Sequence, residues 1–471
     1  MSSFGRKQNR FQGETGFSKF ITVTIIIYLI ISFAFFSLPV EAASYYRELD
    51  RDLVIVIDPG HGGENEGTIE NGFCEKEMTM TTAQALYDRL TMYDGVTVYL
   101  TRTEDRDLSL KERAEYAKSV GADFLFSIHY NASENHELFG SEVWVQLETP
   151  YNAYGYQFGS ILLTRLQEKG LFIRGIKTRK NDKGMNYYGI LRESAALDIP
   201  AVIIEHCHVD EARDYGYCDT EEKQEAFGYE DAEAIAMFLG LSGDNPETEY
   251  NGEQEDPYLQ KIFAMDTGKV VQSTLLDATA PEICTIERVS EDYTGFHATI
   301  QVMAADYDSP MMYYSYSLDG GENYSDRQPW PGCNMLTGEY QDLFQLTLEI
   351  PDGIIPSIRI KAYNQYEGYT ESNILDGYSV FQKPREESRL TEEQDAEIED
   401  ETPTESREAS ASGWLGSMGE NKQGEAGDHS IDIQDFILVS LLAALALLVL
   451  MMVLQIFVTA KKRRTHHSRK R

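Results

Sequence analysis

From about residue 52 to residue 241, short apolar runs alternate with stretches whose apolar residues recur at helical spacing. The apolar runs predict buried strands at 53–57, 96–100, 124–128, 142–146, 188–191 and 201–204. The periodic stretches predict helices at about 78–90, 110–117, 157–169 and 231–239, the second of which opens with the capping-box pattern of Ser109 and Glu112. This alternation predicts an α/β fold, in which helices flank a mainly parallel sheet.

The chain changes character after residue 241. Residues 242–275 are polar and predict a linker. Residues 276–380 hold short aromatic strands separated by turns, which predict a small β-sandwich that resembles immunoglobulin-like modules. Residues 383–430 are rich in Glu, Ser, Asp and Gly and contain few apolar groups, so they are expected to form an extended, disordered acidic stalk.

Apolar segments near both ends predict a connection to a membrane. Residues 436–460 are almost wholly apolar, long enough to cross a hydrocarbon core of about 30 Å, and a basic run follows them. This pattern predicts a C-terminal transmembrane helix, with residues 461–471 as a basic cytoplasmic tail. Residues 1–43 fit either a cleaved signal peptide or a retained membrane anchor. The chain between the two segments is then expected to lie outside the cytoplasm.

Charge and cysteine content exclude some classes of protein. The formal net charge of the 471 residues is -37, which argues against a nucleic-acid partner because such binding needs a cationic surface. Five cysteines in a chain of this length do not form a disulfide framework. Bridges between Cys207 and Cys218 or between Cys284 and Cys333 remain open, as do buried free thiols.

Three polar clusters follow predicted strands or precede a predicted helix. His61 lies in a glycine-rich loop after the first strand, His129 lies at the end of a later strand, and Glu75 precedes the helix between them. Functional sites in α/β sheets gather beyond the carboxyl ends of strands. Two histidines and one carboxylate are able to bind zinc and to leave a fourth position for water. The pattern therefore predicts a zinc site.

Glu205 closes the apolar run Ala-Val-Ile-Ile-Glu. A carboxylate at the end of a buried strand costs free energy unless it is paired or functional. Two roles stay open for it: a structural salt bridge to Arg102 or Arg192, or a general base beside a metal-bound water molecule.

Taken together, residues 52–241 resemble the zinc-dependent N-acetylmuramoyl-L-alanine amidases of the amidase-3 type. The matching segments are IDPGHGG at 57–63, NGFCEKE at 71–77, LTRTEDRDLSLKERAEYA at 100–117, ADFLFSIHYNA at 122–132, RGIK at 174–177 and ILRESAALDIPAVIIEHCHVD at 190–210. The resemblance implies that His61, Glu75 and His129 bind one zinc ion and that Glu205 is the catalytic glutamate. It also implies a peptidoglycan hydrolase that cleaves the amide bond between N-acetylmuramic acid and L-alanine in cell-wall remodelling.

Asn131 and Arg192 are predicted to contact the substrate. Arg102, Arg113 and Arg192 are first of all candidates for ion pairs within the scaffold, and second for clamps on the carboxylates of a stem peptide.

The sequence departs from the family pattern directly after Glu205. The family usually has a small residue, then Gly-Phe and a Ser/Thr-Asn pair, whereas this chain has His206, Cys207 and His208. By strand alternation, the two histidines lie on the face opposite Glu205. They are expected to be hydrogen-bonded residues at the rim of the site, with substrate polarisation or a second metal as the alternative.

Two other functions remain open. A catalytically silent wall-binding surface protein is expected to lack a ligand residue, and none is missing here. A zinc peptidase that acts on another amide would use the same residues. The expected partners are peptidoglycan and, through residues 436–460, the lipid bilayer. Because the stretch between His129 and Glu205 contains no spare segment, a fragment of residues 45–245 is expected to be active alone.

Overall fold

The computed structural model describes residues 51–252 and 257–382. The predicted signal peptide or anchor, acidic stalk, transmembrane helix and basic tail lie outside these residues. Within them, no helix combines the length and the apolar character that a membrane span requires.

A six-stranded sheet forms the centre of the first part of the chain. The eight strands of this part are β1 (Leu53–Pro59), β2 (Ile69–Glu70), β3 (Phe73–Cys74), β4 (Val96–Leu100), β5 (Phe124–Asn131), β6 (Ser141–Val145), β7 (Ile173–Lys177) and β8 (Ala201–His208). The sheet order is β4-β1-β5-β8-β6-β7, and β2 and β3 form a separate hairpin. Every neighbouring pair in the sheet is parallel except β6 and β8. The sheet is therefore mixed but mainly parallel.

Helices cover both faces of this sheet. They are α1 (Glu75–Leu90), α2 (Leu110–Val120), α3 (Tyr151–Glu168), α4 (Gly189–Ala196), α5 (Ala212–Tyr215) and α6 (Glu221–Leu239). Side chains of α1, α3 and α6 bury one face, and side chains of α2 and α4 bury the other. The predicted capping box is confirmed at the start of α2, and the helix ends at Gly121 in the left-handed conformation.

The strand predicted at 188–191 is wrong, because this segment begins helix α4. Ile190, Leu191 and Ser194 are its buried residues, and they recur at helical rather than at strand spacing. A short apolar run does not distinguish a strand from a buried helix. The strand of this region is β7, whose sequence Ile-Arg-Gly-Ile-Lys carries two cations and so lacks the apolar run.

The second part of the chain is rich in β-strands. Its elements are helix α7 (Pro257–Phe263) and strands β9 (Ile283–Asp292), β10 (His297–Ala305), β11 (Met311–Ser317), β12 (Gln328–Pro329), β13 (Leu343–Glu349), β14 (Arg359–Asn364) and β15 (Tyr369–Glu371). The strands form one sheet in the order β13-β10-β9 and another in the order β12-β11-β14-β15, and the two sheets bury a common core. The predicted linker is more than a polar connection, because Leu259 and Ile262 of α7 pack into the core of the first part.

The β-rich region also shares a core with the α/β region. Met312, Tyr313 and Tyr363 belong to the same buried cluster as the side chains that cover the sheet. The Tyr313 ring lies 4.9 Å from the Phe139 ring and 5.2 Å from the Phe172 ring. The two regions are thus continuous through apolar packing.

Candidate active site

Two buried arginines fix the shape of residues 58–63, which comprise the last two residues of β1 and the loop after it. Arg113 Nη1 donates to Asp58 Oδ1 at 2.7 Å, and Arg113 Nη2 donates to the His61 carbonyl oxygen at 2.6 Å. Arg102 donates to the carbonyl oxygens of residues 59 and 60, at 3.1 and 3.0 Å. Arg113 therefore forms the predicted ion pair within the scaffold. Arg102 supports the same segment through backbone carbonyl oxygens instead.

The three predicted metal ligands come together from three elements. His61 Nε2 lies 3.0 Å from Glu75 Oε1, and His129 Nδ1 lies 3.1 Å from the same oxygen. One ligand atom from each residue lies within 4.8 Å of the others. Two imidazole nitrogens and one carboxylate oxygen form a donor set that zinc accepts while a fourth tetrahedral position stays open. These residues therefore fit a zinc ion.

Backbone groups hold Glu75 in place. Its Oε2 accepts a hydrogen bond from the Thr68 amide at 2.9 Å, and its Oε1 accepts one from the Tyr130 amide at 3.2 Å. Burial opposes ionisation, but the hydrogen bonds with His129 and His61 hold the pKa of Glu75 well below its ordinary value. Glu75 is therefore an anion, which is the state that a metal ligand needs.

Gly60 packs against the ring of His129. A Cβ atom at this position would overlap the His129 ring atoms, so the ring would have to move. We expect Gly60→Ala to weaken zinc affinity about 10- to 100-fold, the usual effect of disturbing the groups that orient a metal ligand. Zinc titration of metal-free protein measures this effect, and Gly216→Ala is the control because a Cβ atom there meets open space. Equal affinities in the two variants would show that this contact does not position His129.

Glu205 lies in a row of polar side chains across three strands. It pairs with His129 of β5 on one side and with Glu142 of β6 on the other. Directly paired residues project from the same face of a sheet. Glu205 Oε2 is buried and has no hydrogen-bond partner among the described residues.

The surroundings of Glu205 favour a role in proton transfer. Burial, together with the carboxylates of Glu75 and Glu142, raises the pKa of Glu205 well above its ordinary value. The alternative of a structural salt bridge fails, because Arg102 donates to backbone carbonyls of the 58–63 segment and Arg192 pairs with Glu193. A half-buried carboxylate of raised proton affinity beside a candidate metal site fits a general base.

Glu142 is a site residue that the sequence patterns did not reveal. Its Oε2 accepts hydrogen bonds from Arg174 Nε and Lys177 Nζ, both at 2.9 Å. Its Oε1 accepts from Asn131 Nδ2 at 2.9 Å and from Trp144 Nε1 at 3.2 Å. Burial opposes ionisation, but the charges of Lys177 and Arg174 hold the pKa of Glu142 well below its ordinary value. The sequence could have indicated this role through Glu142 itself, a carboxylate inside the mainly apolar strand Ser-Glu-Val-Trp-Val.

The two residues predicted to bind substrate make contacts within the protein. Asn131 donates to Glu142, as described above. Arg192 Nη1 donates to the carbonyl oxygens of Asn186 and Tyr187, at 3.0 and 3.1 Å, and so holds the loop that precedes α4. Contacts to substrate remain predictions for both residues.

The histidines after Glu205 are buried and do not lie at the rim of the site. His206 Nε2 lies 3.0 Å from Asp231 Oδ2 of helix α6, which places its ring on the face opposite Glu205, as predicted. His208 Nδ1 lies 3.2 Å from the Gly140 carbonyl oxygen. Both rings are fully buried, so the predicted rim position is wrong.

Within 51–252 and 257–382, only the His61–Glu75–His129 group has the geometry of a metal site. All five cysteines are free thiols.

A His-Glu-His ligand set beside a carboxylate that has one buried, unpaired oxygen is the arrangement of a metal-dependent hydrolase. Residues 55–237 match the model of the N-acetylmuramoyl-L-alanine amidase family, Amidase_3. This part of the chain is therefore similar to the catalytic domain of that family.

Proteins similar to this chain include named amidases. The sporulation-specific N-acetylmuramoyl-L-alanine amidase of Bacillus subtilis (strain 168) is 36% identical over 161 residues, which are 34% of this chain and 58% of the relative. The amidase LytC of the same organism is 32% identical over 165 residues, 34% of this chain and 30% of the relative. The catalytic domain of CwlV, an amidase from Bacillus (Paenibacillus) polymyxa var. colistinus, shows 26% identity and a TM-score of 0.36, with 40% of this chain and 99% of that domain covered. The chain thus spans little more than half the length of the first relative.

Proposed function

We propose that this protein hydrolyses peptidoglycan at the amide bond between N-acetylmuramic acid and L-alanine, in cell-wall remodelling. One observation carries the proposal: the ligand atoms of His61, Glu75 and His129 converge next to Glu205, whose buried Oε2 has no hydrogen-bond partner, in a segment that matches the amidase family model. The choice of substrate rests on the names of the relatives.

In the proposed reaction, His61, Glu75 and His129 hold zinc, and Glu205 moves the proton. Bound zinc supplies Lewis acidity, which polarises the scissile carbonyl and makes water a better nucleophile. Glu205 takes a proton from the attacking water as the new C–O bond forms. It then delivers the proton to the alanine nitrogen as the C–N bond breaks. The Glu142 carboxylate beside Glu205 raises the proton affinity of Glu205 and so favours the first of these transfers.

Mass analysis of digestion products tests this function. Purified peptidoglycan is incubated with the zinc-loaded protein and with the metal-free protein. The expected products are glycan strands without stem peptides and stem peptides with a free N-terminal alanine, from the zinc-loaded sample alone. Stem peptides cut at an internal bond would identify a zinc peptidase instead. Binding to peptidoglycan without any cleavage would identify a silent wall-binding protein.

The protein is further proposed to be anchored in the cell membrane with its folded body outside the cytoplasm. The apolar residues 436–460 and the basic residues that follow them support this topology. Protease added to intact protoplasts is expected to remove the 52–241 region and to spare the tail after residue 460, which antibodies to the two parts will show. Protection of the 52–241 region in intact protoplasts, with digestion after lysis, would overturn the topology.

A further inference from the structure

The loop between β14 and β15, residues 365–368, lies against edge strand β7. Gln365 Nε2 donates to the Arg174 carbonyl oxygen at 3.4 Å. Gly175 has a φ of 100°, and a Cβ atom there would overlap the Gln365 side chain. A glycine on β7 thus lets the β-rich region approach the backbone of the sheet closely.

Arg174 connects this loop to the active site. Its Nη2 donates to Glu367 Oε1 at 2.6 Å and its Nη1 donates to the Tyr313 hydroxyl at 3.0 Å. Its Nε donates to Glu142 Oε2 at 2.9 Å. The Tyr313 hydroxyl in turn donates to the Phe139 carbonyl oxygen at 2.6 Å. One guanidinium group therefore makes hydrogen bonds to two residues of the β-rich region and to the carboxylate that stands next to Glu205.

The β-rich region adds a second carboxylate to the charges of this cluster. Arg174 and Lys177 are two buried cations, and Glu142 is the one carboxylate that contacts both. Glu367, a half-buried residue, is the second carboxylate; it pairs with Arg174 and also lies 3.7 Å from Arg327 Nη1. Breaking a buried set of charges leaves an uncompensated charge that is costly and displaces its neighbours. Loss of the Glu367 charge would therefore disturb Glu142 and, through it, Glu205.

The backbone at Glu367 is strained. Its φ of 68° lies in the left-handed region, which Gly and Asn occupy at lower conformational cost than Glu. Strain of this kind persists where the surrounding structure holds it, and it is concentrated at functional positions. A glutamate at this position is consistent with a use for its carboxylate.

We propose that Tyr313 and Glu367 of the β-rich region are positioning residues of the active site, which act on Glu142 and Glu205 through Arg174. This inference rests on the proposed function. It makes the β-rich region part of the hydrolytic unit, where the sequence suggested a separate module. The sequence led us to expect that a fragment of residues 45–245 is active alone. This inference predicts instead that the fragment has low activity, because it lacks both residues.

Glu367→Gln and Tyr313→Phe in the full chain test the inference, since both keep the shape of the side chain. Glu371→Gln is the matched control for the first, because Glu371 pairs with Arg359 within the β-rich region at 2.8 Å. Tyr369→Phe is the control for the second, because the Tyr369 side chain is half exposed. The measurements are kcat and KM on peptidoglycan fragments, zinc content, and the midpoint of urea unfolding.

Each test variant is expected to lower kcat on the order of 10-fold, the size of effect that coupling through a packed network produces. KM and zinc content are expected to match the wild type. The double variant is expected to lose less than the product of the two single losses, because both residues act through Arg174. The two control variants are expected to keep the wild-type kcat.

Other outcomes overturn the inference. A wild-type kcat in both test variants would limit Tyr313 and Glu367 to packing, whether or not the unfolding midpoint falls. A loss of zinc in parallel with kcat would place their effect on the metal site. A wild-type protein that releases no product contradicts the proposed function itself, and that result is separate because it needs no variant.

Discussion

Glu205→Gln is expected to lower turnover on peptidoglycan by about 10²–10⁴-fold, the usual contribution of a positioned general base, while zinc stays bound. Glutamine keeps the shape of the side chain but does not take up a proton. Glu205 lies outside the group of three converging ligand atoms, so its replacement leaves that group in place. The substitution also removes a carboxylate that Glu75 and Glu142 repel. The free energy of unfolding is therefore expected to stay the same or to rise, as is common when an active-site charge is removed.

Zinc content, turnover and urea unfolding are to be measured on the same samples of Glu205→Gln and His129→Ala. The histidine variant loses a ligand, so its zinc content and activity are expected to fall together. If Glu205→Gln loses zinc as completely as His129→Ala, then Glu205 is a ligand and not the base. If Glu205→Gln keeps full activity, Glu205 is not the base.

Sequence patterns predicted those parts of the fold and the site that follow from nearby residues or from the general geometry of α/β sheets. The capping box of Ser109 and Glu112 is formed within four residues, so its pattern is readable without the fold. The site at the carboxyl ends of the strands follows from the geometry of α/β sheets, which brought His61 and His129 together as expected. The placement of His206 on the face opposite Glu205 followed from the two-residue period of a strand.

Contacts between distant residues were not predictable in the same way. Arg174 bonds to Glu142 across 32 residues and to Glu367 across 193 residues. No local pattern specifies such partners, because they depend on how two regions pack against each other. The cations of β7 also interrupted the apolar pattern that would have predicted this strand. Buried Arg174 and Lys177 are tolerated there because they pair with carboxylates.

Glu142→Gln is expected to lower the free energy of unfolding by about 3–5 kcal/mol, the usual cost of removing one partner from a buried ion pair. Glu142 is buried and bonds to both Arg174 and Lys177 at 2.9 Å. The amide of glutamine retains one acceptor oxygen but no charge, so the two buried cations would lose the carboxylate that contacts both. Glu115→Gln is the control, because Glu115 forms an exposed pair with Lys111 on one helix, and such pairs contribute about 0.3–0.5 kcal/mol.

Wild type and Glu142→Gln are expected to differ in free energy of unfolding. The pH dependence of that difference shows whether its origin is electrostatic. The pKa of Glu142 is held below its ordinary value in the folded state, so its charge stabilises the fold at every pH above the unfolded-state pKa of about 4.3. As pH falls below that value toward the folded-state pKa, the unfolded state gains a proton first and the stabilisation declines. Urea unfolding of wild type and Glu142→Gln is thus expected to show a constant difference from about pH 5.5 to pH 7 and a smaller one at about pH 4. A difference that stays the same at pH 4 would mean that the variant is destabilised by packing and not by the loss of charge.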